Sequence, residues 1–490
     1  MKLNHWVPMR WPCGPLEIER GERQKSFRVR ERDALQQWSD PAVLEKLAGS
    51  PVSCLVVTWA DGSPTDEAQQ SSLAPLVAAA RDRGLAVVGQ AGNGCDLRQA
   101  AATADAAGLV ALATESREPG PGFPVLRFGE RTLGERSPGR FVGVSDAPWP
   151  GLKVSRSRDY DAWSGVTGPP WVDSNAWFVR LAQELVDPGA VWLSFDAPES
   201  RLSVPATAYV QAIADCEIYG GRWVVSLDPR LRLGLLNGRK RATKTWAEIG
   251  RALAFFEARR DWVDYHPVGR LGVVSDFAGS NEFVSLEMLN LLARQSRLYR
   301  AVERSQALAA SFDELKAIAY VDEPPPEKAL LRRLYAFAEQ GGTLITPPGW
   351  ERRGERLPSA SYPRFQLSRC GEGRLAVARE ELSDPYLLAD DAQLLMSHRH
   401  DLVRVFNPGT ARFHYSTSED HRSGVLHVFR YGRRPFETQV SVWFRKAWES
   451  AGMWQVDAEE AQPAERVADN SGVEFHVPSV AGYCALEVSA

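Results

Sequence analysis

The segment 54–90, CLVVTWADGSPTDEAQQSSLAPLVAAARDRGLAVVGQ, decides the fold. It begins and ends with short apolar runs, CLVVTWA and AVVGQ, and the stretch SSLAPLVAAARDRG between them has the periodicity of a helix. A strand, a helix and a second strand in this order form the repeating unit of a parallel sheet. The segment therefore predicts an α/β fold.

The same alternation continues on both sides of this unit. Eight strand signals occur before residue 265, and helical patterns separate most of them. The signals are HWVPMRW, CLVVTWAD, AVVGQAG, LVALATES, FPVLRFGE, FVGVSD, VWLSFD and RWVVSLD. Residues 1–265 thus have the order and spacing of strands and helices expected of a (β/α)8 TIM-like barrel, for which a length of about 250 residues is typical. The connections after Glu115 and Glu130 are short and rich in Pro and Gly, so we expect the barrel to be irregular there.

Two further domains are expected after the barrel. Residues 266–383 contain three strand signals separated by helices, which favours a doubly wound α/β domain. Residues 384–490 contain alternating runs punctuated by Gly and Pro, such as DLVRVFNPG, GVLHVFRYG and GVEFHVPSV. This pattern of alternating runs is typical of a small antiparallel β-sandwich.

Composition argues against several classes of function. The chain has 58 Lys and Arg residues against 62 Asp and Glu residues, so it lacks the excess of basic residues that is typical of nucleic-acid-binding proteins. The six cysteines contain no Cys-x-x-Cys pair, which argues against a zinc site, and no cofactor is expected. No run of eighteen apolar residues occurs, so we expect a soluble protein without a membrane partner. We expect it to be cytoplasmic as the sequence stands, and periplasmic or secreted if a leader was removed.

The segment LYAFAEQGGTLITPPG, Leu334–Gly349, resembles the helix, Gly-Gly turn and strand of a known domain. That domain is the class I glutamine amidotransferase-like trimerisation domain of β-galactosidases. The order of barrel, α/β domain and β-sandwich also resembles their plan over nearly the whole chain. The resemblance implies a bacterial glycoside hydrolase that forms a homo-oligomer, a dimer or a trimer. Amidotransferase activity itself is not expected, because the stretch from Arg270 to Arg369 contains no cysteine and no histidine.

Polar residues follow the predicted barrel strands, at the end where barrel enzymes place their active sites. They are Asp61, Gln90, Asn93, Glu115, Glu130, Asp146, Asp196 and Asp228. Glycoside hydrolysis needs two carboxylates, one to protonate the leaving oxygen and one to attack the anomeric carbon or activate water. A single carboxylate at a strand end often caps a helix or pairs with an arginine instead. Taken together, these polar residues at the strand ends predict a ligand site.

The resemblance implies roles for two of these carboxylates. Glu115 follows the fourth strand, where the barrel glycosidases place the acid/base, and Asp196 follows the seventh, where they place the nucleophile. The chain departs from their pattern twice, because Thr114 stands in place of asparagine and Asp196 in place of glutamate. Either Asp196 acts in a shifted geometry, or Glu199 in the same loop replaces it, or hydrolysis is absent.

A long loop after the sixth strand, 146–173, is rich in tryptophan. Trp149, Trp163, Trp171 and Trp177 lie in it or just beyond it. Loops of this length are commonly lids or binding loops, and a tryptophan ring suits stacking on a sugar, although some of these rings are expected to pack the loop onto the barrel.

The loop ends in PPWVDSNAWF, 169–178, which starts a helix with Asp173, Ser174 or Asn175 as its cap. We expect Trp171 and Asp173 to contact the ligand, and Trp177 to belong to the core.

The leading hypothesis is a carbohydrate-active enzyme that hydrolyses a glycosidic bond with Glu115 and Asp196 as its catalytic residues. The predicted substrate-binding residues are Asp61, Asn93, Asp146, Trp149, Trp163, Trp171, Asp173 and Asp228. The alternative is a non-catalytic saccharide-binding or assembly protein on the same scaffold. A third hypothesis is a metal-assisted lyase or isomerase that uses His5 and barrel aspartates. His398 and His400 are the only close histidine pair; without a third ligand, no metal site is assigned to them.

Overall fold

The computed structural model describes residues 3–24, 27–116, 122–129, 141–153, 171–186, 190–197, 203–351, 353–358, 362–407, 411–431, 440–469, 471–477 and 482–490. Contacts within the chain divide it into two compact units. The first is Met1–Gly151 with Leu185–Arg260, and the second is Leu152–Glu184 with Asp261–Ala490. In the described ranges, no helix is long and apolar enough to span a bilayer.

A parallel β-barrel forms the centre of the first unit. Its strands are β1 Pro8–Arg10, β2 Cys54–Ala60, β3 Ala86–Ala91, β4 Ala111–Thr114, β5 Val125–Gly129, β6 Phe141–Val144, β7 Ala190–Leu193 and β8, which has two pieces, Arg222–Trp223 and Val225–Ser226. Each strand pairs with the next along the chain. One piece of β8 pairs with β7 and the other with β1, with Val224 between them, so β8 closes the sheet. The predicted TIM-like barrel of eight strands is confirmed.

Apolar side chains fill the barrel interior, which is why the strands read as apolar runs in the sequence. The buried cluster contains Cys54, Val56, Val88, Ala111, Ala113, Leu126, Trp192 and Val224. Trp192 is its largest member, and its ring centroid lies 6.3 Å from that of Trp6 and 5.5 Å from that of Phe141. Because the interior is packed, the polar strand-end residues lie at the mouth of the barrel.

Helices connect most of the barrel strands. Up to Glu257 they are α1 Pro15–Glu22, α2 Val29–Gln37, α3 Asp66–Asp82, α4 Leu97–Ala107, α5 Ala176–Val186, α6 Ala206–Glu217, α7 Pro229–Leu236 and α8 Lys240–Glu257. Short 3-10 turns at Leu3–His5 and Pro41–Leu47 precede β1 and β2. The described residues between β4 and β5 form no helix, as expected from their Pro and Gly content, whereas Glu130 lies outside the described residues.

The segment 152–184 groups with the second unit. It contributes most of a two-stranded sheet, Gly151–Lys153 with Trp171–Asp173, and α5 up to Glu184. Ser174 is one of the three predicted caps of α5, and its Oγ accepts a hydrogen bond from the N–H of Ala176 at 3.0 Å.

The second unit contains an α/β layer. Its strands are β9 Leu271–Ser275, β10 Tyr299–Glu303, β11 Ala317–Tyr320, β12 Thr343–Thr346, β13 Phe365–Cys370 and β14 Gly373–Ala378, in the order β10-β9-β11-β12-β14-β13. All neighbours are parallel except β13 and β14. Its helices are α9 Glu282–Arg294, α10 Lys328–Glu339 and α11 Pro385–Met396. Between α10 and β12, Gly341 has a φ of 106°, which favours glycine, so the predicted Gly-Gly turn is present.

Two antiparallel sheets complete the second unit. Their longer strands are β15 Val403–Phe406, β16 Ala411–Thr417, β17 Ser423–Arg430, β18 Val440–Phe444, β19 Ser450–Gln455, β20 Glu465–Asp469, β21 Gly472–Val477 and β22 Tyr483–Ser489. One sheet has the order β16-β17-β22-β19, flanked by His266–Pro267 and Gln462–Pro463, and the other has the order β15-β18-β21-β20. The predicted β-sandwich is therefore present. Its strands begin at Val403, because Asp384 caps α11 ahead of them.

Candidate active site

A cavity of about 360 Å³ opens at the carboxyl ends of the barrel strands. The barrel strands and the residues that follow them contribute Arg10, Gln90, Thr114, Phe128, Ser145, Ser194 and Val224 to its wall. Glu115 and Asp196, the two predicted catalytic carboxylates, both line this cavity, together with Asn93 and Arg20. A volume of this size suits a small-molecule ligand. The fold thus brings the predicted catalytic pair into one site.

Arg10, the last residue of β1, is buried in the wall of this cavity. Its guanidinium donates to Gln90 Oε1, to Glu17 Oε1 at 2.9 Å and to a third acceptor, Thr58 Oγ1, at 3.3 Å. Glu17 is also buried and accepts hydrogen bonds from Thr58 and Arg20. Burial raises the pKa of Glu17, but the guanidiniums of Arg10 and Arg20, the Thr58 hydrogen bond and the charge of Arg232 together hold this pKa below its ordinary value. Arg10 is therefore a fixed cation in the wall.

Asp196 lies beside Arg10 and follows β7. Its Oδ1 atom is 3.6 Å from Arg10 Nε, and Ser226 Oγ donates to the same oxygen at 3.4 Å. Trp149 Nε1 donates to the backbone carbonyl of Asp196 at 3.1 Å. The Asp196 side chain is 74% exposed. Its backbone is therefore held in place while its carboxylate faces both a cation and the open cavity.

Glu115 follows β4 directly and is exposed. Asn93 Nδ2 donates to Glu115 Oε2 at 3.3 Å. In the resembled glycosidases an asparagine precedes the acid/base, whereas Thr114 precedes Glu115 here. Asn93, which follows the neighbouring strand β3, supplies an amide to Glu115 instead. Thr114 is buried, and its Oγ1 accepts from the N–H of Ser116 at 3.1 Å. Glu115 is thus oriented by a neutral group.

Trp149 packs on the barrel. Its ring centroid lies 5.2 Å from that of Tyr209 and 5.5 Å from that of Trp223, both edge-on. Through its indole N–H it also positions Asp196. Trp163, Glu199 and the side chain of Trp171 lie outside the described residues.

Two other predicted binding carboxylates hold local structure. Asp228 is buried and caps α7, and its Oδ1 accepts from two N–H groups of the first turn at 3.0 Å. Tyr209 Oη donates to the other oxygen of Asp228 at 3.2 Å. Asp61 Oδ1 accepts from the N–H of Ser63 at 3.0 Å within a turn. Neither Asp61 nor Asp228 is among the described residues that line the cavity, and neither is the exposed Asp146.

The carboxylate of Asp173 contacts an arginine of the second unit, to which Asp173 itself belongs. It is buried, and its Oδ1 lies 3.5 Å from Arg294 Nη2. Trp177, four residues after the short strand, is also buried, and its ring packs edge-on against that of Phe178 at 5.7 Å.

The basic side of the cavity is absent from the residues predicted from the sequence. Arg10 ends β1, so the same strand-end rule that selected Glu115 and Asp196 also applies to it. Arg20 lies on α1 and reaches the cavity through its pair with Glu17. No sequence signal marks that arrangement, because it depends on how α1 packs on the barrel.

Metal chemistry has little support in the part of the chain that the structure describes. There, no group of three or more His, Cys, Asp or Glu residues is placed to hold a metal ion. His5 lies in a 3-10 turn before β1, at the opposite end of that strand from the cavity. His398 and His400 lie on another 3-10 turn, which spans His398–His400.

The strands and the cavity at their carboxyl ends define a TIM-like barrel protein with carboxylates at its mouth. A similar solved structure is α-L-fucosidase isoenzyme 2 from Paenibacillus thiaminolyticus, with a TM-score of 0.57 and 11% identity over 92% of this chain and 96% of that one. This likeness shows a shared fold over nearly the whole of both chains.

Other solved structures are similar at lower scores. The exo-β-1,4-mannosidase from Opitutaceae bacterium strain TAV5 has a TM-score of 0.47 and 12% identity over 80% of this chain and 95% of that one. The β-galactosidase from Bacillus circulans sp. alkalophilus has a TM-score of 0.38 and 11% identity over 87% of this chain and 68% of that one. Neither a family model nor a curated protein sequence matches this chain.

Proposed function

We propose that this protein hydrolyses a glycosidic bond with Glu115 and Asp196 at the mouth of its barrel. One observation carries the proposal: the two carboxylates that strand order selects line the same cavity of about 360 Å³. Barrel enzymes perform their chemistry at this end of the strands. The likeness in fold to an α-L-fucosidase supports the same class of reaction.

The surroundings of the two carboxylates support different roles. Asp196 faces the Arg10 guanidinium at 3.6 Å, so a negative charge there has a partner. Glu115 faces the neutral amide of Asn93, whose Nδ2 donates to its Oε2 at 3.3 Å. We assign the general acid to Glu115, which protonates the leaving oxygen. Asp196 then attacks the anomeric carbon or activates the attacking water.

Residues around the pair supply the contacts that a sugar needs. Asn93, Gln90 and Ser145 line the cavity and carry hydrogen-bonding groups for hydroxyls. Trp149 contributes by holding the backbone of Asp196.

A second candidate function is saccharide binding without turnover. It is favoured by the exposure of the Asp196 side chain, 74%, because two-carboxylate chemistry works best in a site that excludes water. Both candidates use the same cavity, and they differ in whether a bond is broken.

Turnover of aryl glycosides and oligosaccharides by Glu115→Gln and Asp196→Asn tests the first candidate. We expect each substitution to lower turnover of phenyl glycosides and oligosaccharides by about 10²–10⁴-fold without unfolding the protein. Asp105→Asn is the matched control, because Asp105 is exposed on α4 and does not line the cavity. Full activity of both variants would rule out the assignment. Calorimetric binding of a saccharide that wild type does not cleave would favour the second candidate.

A further inference from the structure

A larger cavity, of about 610 Å³, lies within the second unit between the α/β layer and the β-sandwich. Its wall includes residues 294–298 at the end of α9, parts of α11, the turn His398–His400, and residues of β15 and β16. The volume is within the range of small-molecule sites. The barrel contributes none of its described lining residues, so the cavity is separate from the candidate active site.

Arginines dominate the polar part of this wall. The five that line it are Arg270, Arg294, Arg297, Arg404 and Arg412, against two aspartates, Asp390 and Asp401. Both aspartates already accept hydrogen bonds from the protein, Asp390 from Gln295 Nε2 at 3.2 Å and Asp401 from Arg404 Nε at 3.1 Å. The wall therefore carries an excess of positive charge, although the net charge of the whole chain is −4.

Three arginines of this wall have partners within the chain. Arg294 lies 3.5 Å from Asp173, Arg404 pairs with Asp401, and Arg412 Nη1 donates to a carbonyl at 2.8 Å. Arg297 Nε is buried without a hydrogen-bond partner among the described residues. A buried donor that lacks an acceptor costs about 1–3 kcal/mol, and more when it is charged. An acceptor from outside the chain would remove this cost.

The titration of neighbouring groups is consistent with a positive potential on this side. Burial lowers the pKa of His400, and the nearby Arg399, Lys316, Arg445 and Arg270 lower it further. Burial also lowers the pKa of Arg297, and the carboxylates of Asp401 and Asp390 act in the opposite direction. Neutral His400 accepts from Arg399 Nε at Nε2 at 3.0 Å, so it adds no charge of its own.

The remainder of the wall is apolar. Leu298, Tyr386, Met396, Phe406 and Phe413 line it. Phe406 is 45% exposed at the edge of the sandwich. Arginines beside aromatic and aliphatic side chains suit a ligand with one anionic group and one organic group, because guanidiniums recognise oxyanions through paired hydrogen bonds.

We propose that this cavity binds a small organic molecule that carries a phosphate or sulfate ester. The oxyanion lies against Arg297 and Arg270, and the organic part packs against Phe406 and Phe413. The several guanidiniums favour a tetrahedral oxyanion over a lone carboxylate, since more than one of them can bind its oxygens. The site does not depend on catalysis at the barrel mouth.

Calorimetric titration of the full chain with phenyl phosphate and phenyl sulfate tests this proposal, with benzyl alcohol as the neutral probe. We expect saturable binding of at least one ester and no binding of benzyl alcohol. Arg297→Gln and Arg270→Gln are each expected to weaken ester binding at least tenfold. Arg332→Gln is the matched control, because Arg332 is exposed on α10, outside the lining of this cavity.

The two esters also identify the oxyanion. Preference for phenyl phosphate assigns a phosphate ester, preference for phenyl sulfate assigns a sulfate ester, and either result supports the site. Absence of saturable binding by both esters overturns the proposal. The same conclusion follows if both arginine variants, shown by thermal denaturation to be folded, bind as tightly as wild type, or if benzyl alcohol binds equally well.

Discussion

The guanidinium of Arg10 lies between a buried carboxylate and an exposed one: its Nε is 3.6 Å from Asp196 Oδ1, and its Nη2 is 2.9 Å from Glu17 Oε1. Glu17 fixes the cation from inside the protein, and Asp196 meets it from the cavity. The stability of the first barrel strand and the geometry of the candidate active site therefore depend on one side chain. Supporting residues of this kind decide how well a site is preorganised.

Arg10→Gln tests the contribution of this cation to turnover. We expect kcat/KM for the best aryl glycoside to fall about 10²-fold, because Asp196 loses the group that orients it. Steady-state kinetics measure the effect, and Arg98→Gln, an exposed arginine of α4, is the control. An unchanged kcat/KM in a folded Arg10→Gln variant would show that the ion pair has no functional role.

Glu17→Gln is expected to lower the free energy of unfolding by about 3–5 kcal/mol, because it leaves buried Arg10 without its strongest partner. Urea denaturation followed by circular dichroism measures the change. Glu22→Gln is the control, since Glu22 pairs with Arg32 on the surface at 3.2 Å and is 47% exposed. That change should cost less than about 1 kcal/mol. Equal effects of the two substitutions would contradict the central position of Glu17.

Two buried histidines of the β-sandwich make stability depend on pH. Burial lowers the pKa of His427 from 6.5 to about 3, and burial also lowers the pKa of the adjacent His414. Below pH 6.5 the unfolded chain binds protons that these folded histidines do not. Their contribution to the free energy of unfolding is therefore fully present above pH 6.5. It is lost as the pH falls toward 3, by up to about 1.4 kcal/mol per pH unit for each histidine.

The variant His427→Gln isolates one of these contributions. It keeps a hydrogen-bonding group near Tyr483 Oη, which lies 2.7 Å from His427 Nδ1. We expect the dependence of unfolding free energy on pH between 6.5 and 5 to become shallower in this variant. The exposed His266→Gln should leave the slope unchanged. Identical slopes for wild type and His427→Gln would show that His427 binds its proton equally in both states.

Two glycines are expected to respond in opposite directions to alanine. A Cβ on Gly373 would lie 2.2 Å from the carbonyl oxygen of Gly342, so Gly373→Ala should cost about 1–3 kcal/mol through overpacking. A Cβ on Gly250, inside α8, would have Ser50 Cβ at 4.0 Å as its nearest neighbour, so Gly250→Ala should stabilise by about 0.5–1 kcal/mol. Thermal unfolding of both variants checks the signs, and a stabilised Gly373→Ala would be inconsistent with the packing of β14 on α10.

The barrel was predictable because parallel strands buried on both faces read as apolar runs. Strands such as β10, with the sequence YRAVE, lack that signal, since Arg300 and Glu303 leave only a short apolar run between them. The helix α11 carried a signal of its own, Asp384 followed by Pro385 at the first helical position. The predicted range of the sandwich, 384–490, includes this helix.

The candidate site was predictable only where strand order determines position. Glu115 and Asp196 follow strands β4 and β7 and therefore face the mouth. Asp228 follows β8 in the same way, yet it caps α7, and the proline after it was the available sign of a cap. The pairing of Arg10 with Glu17 depends on the packing of α1, which no local pattern specifies.

The leaving-group dependence of kcat/KM in Glu115→Gln tests the proposed chemistry most directly. A general acid matters for poor leaving groups and much less for 2,4-dinitrophenolate, which departs without a proton. We expect Glu115→Gln to lose about 10²–10⁴-fold on phenyl glycosides and to remain close to wild type on the 2,4-dinitrophenyl glycoside, whereas Asp196→Asn loses both activities. Wild-type rates on both substrates in Glu115→Gln, or equal losses on both, would contradict the role of Glu115 as the acid.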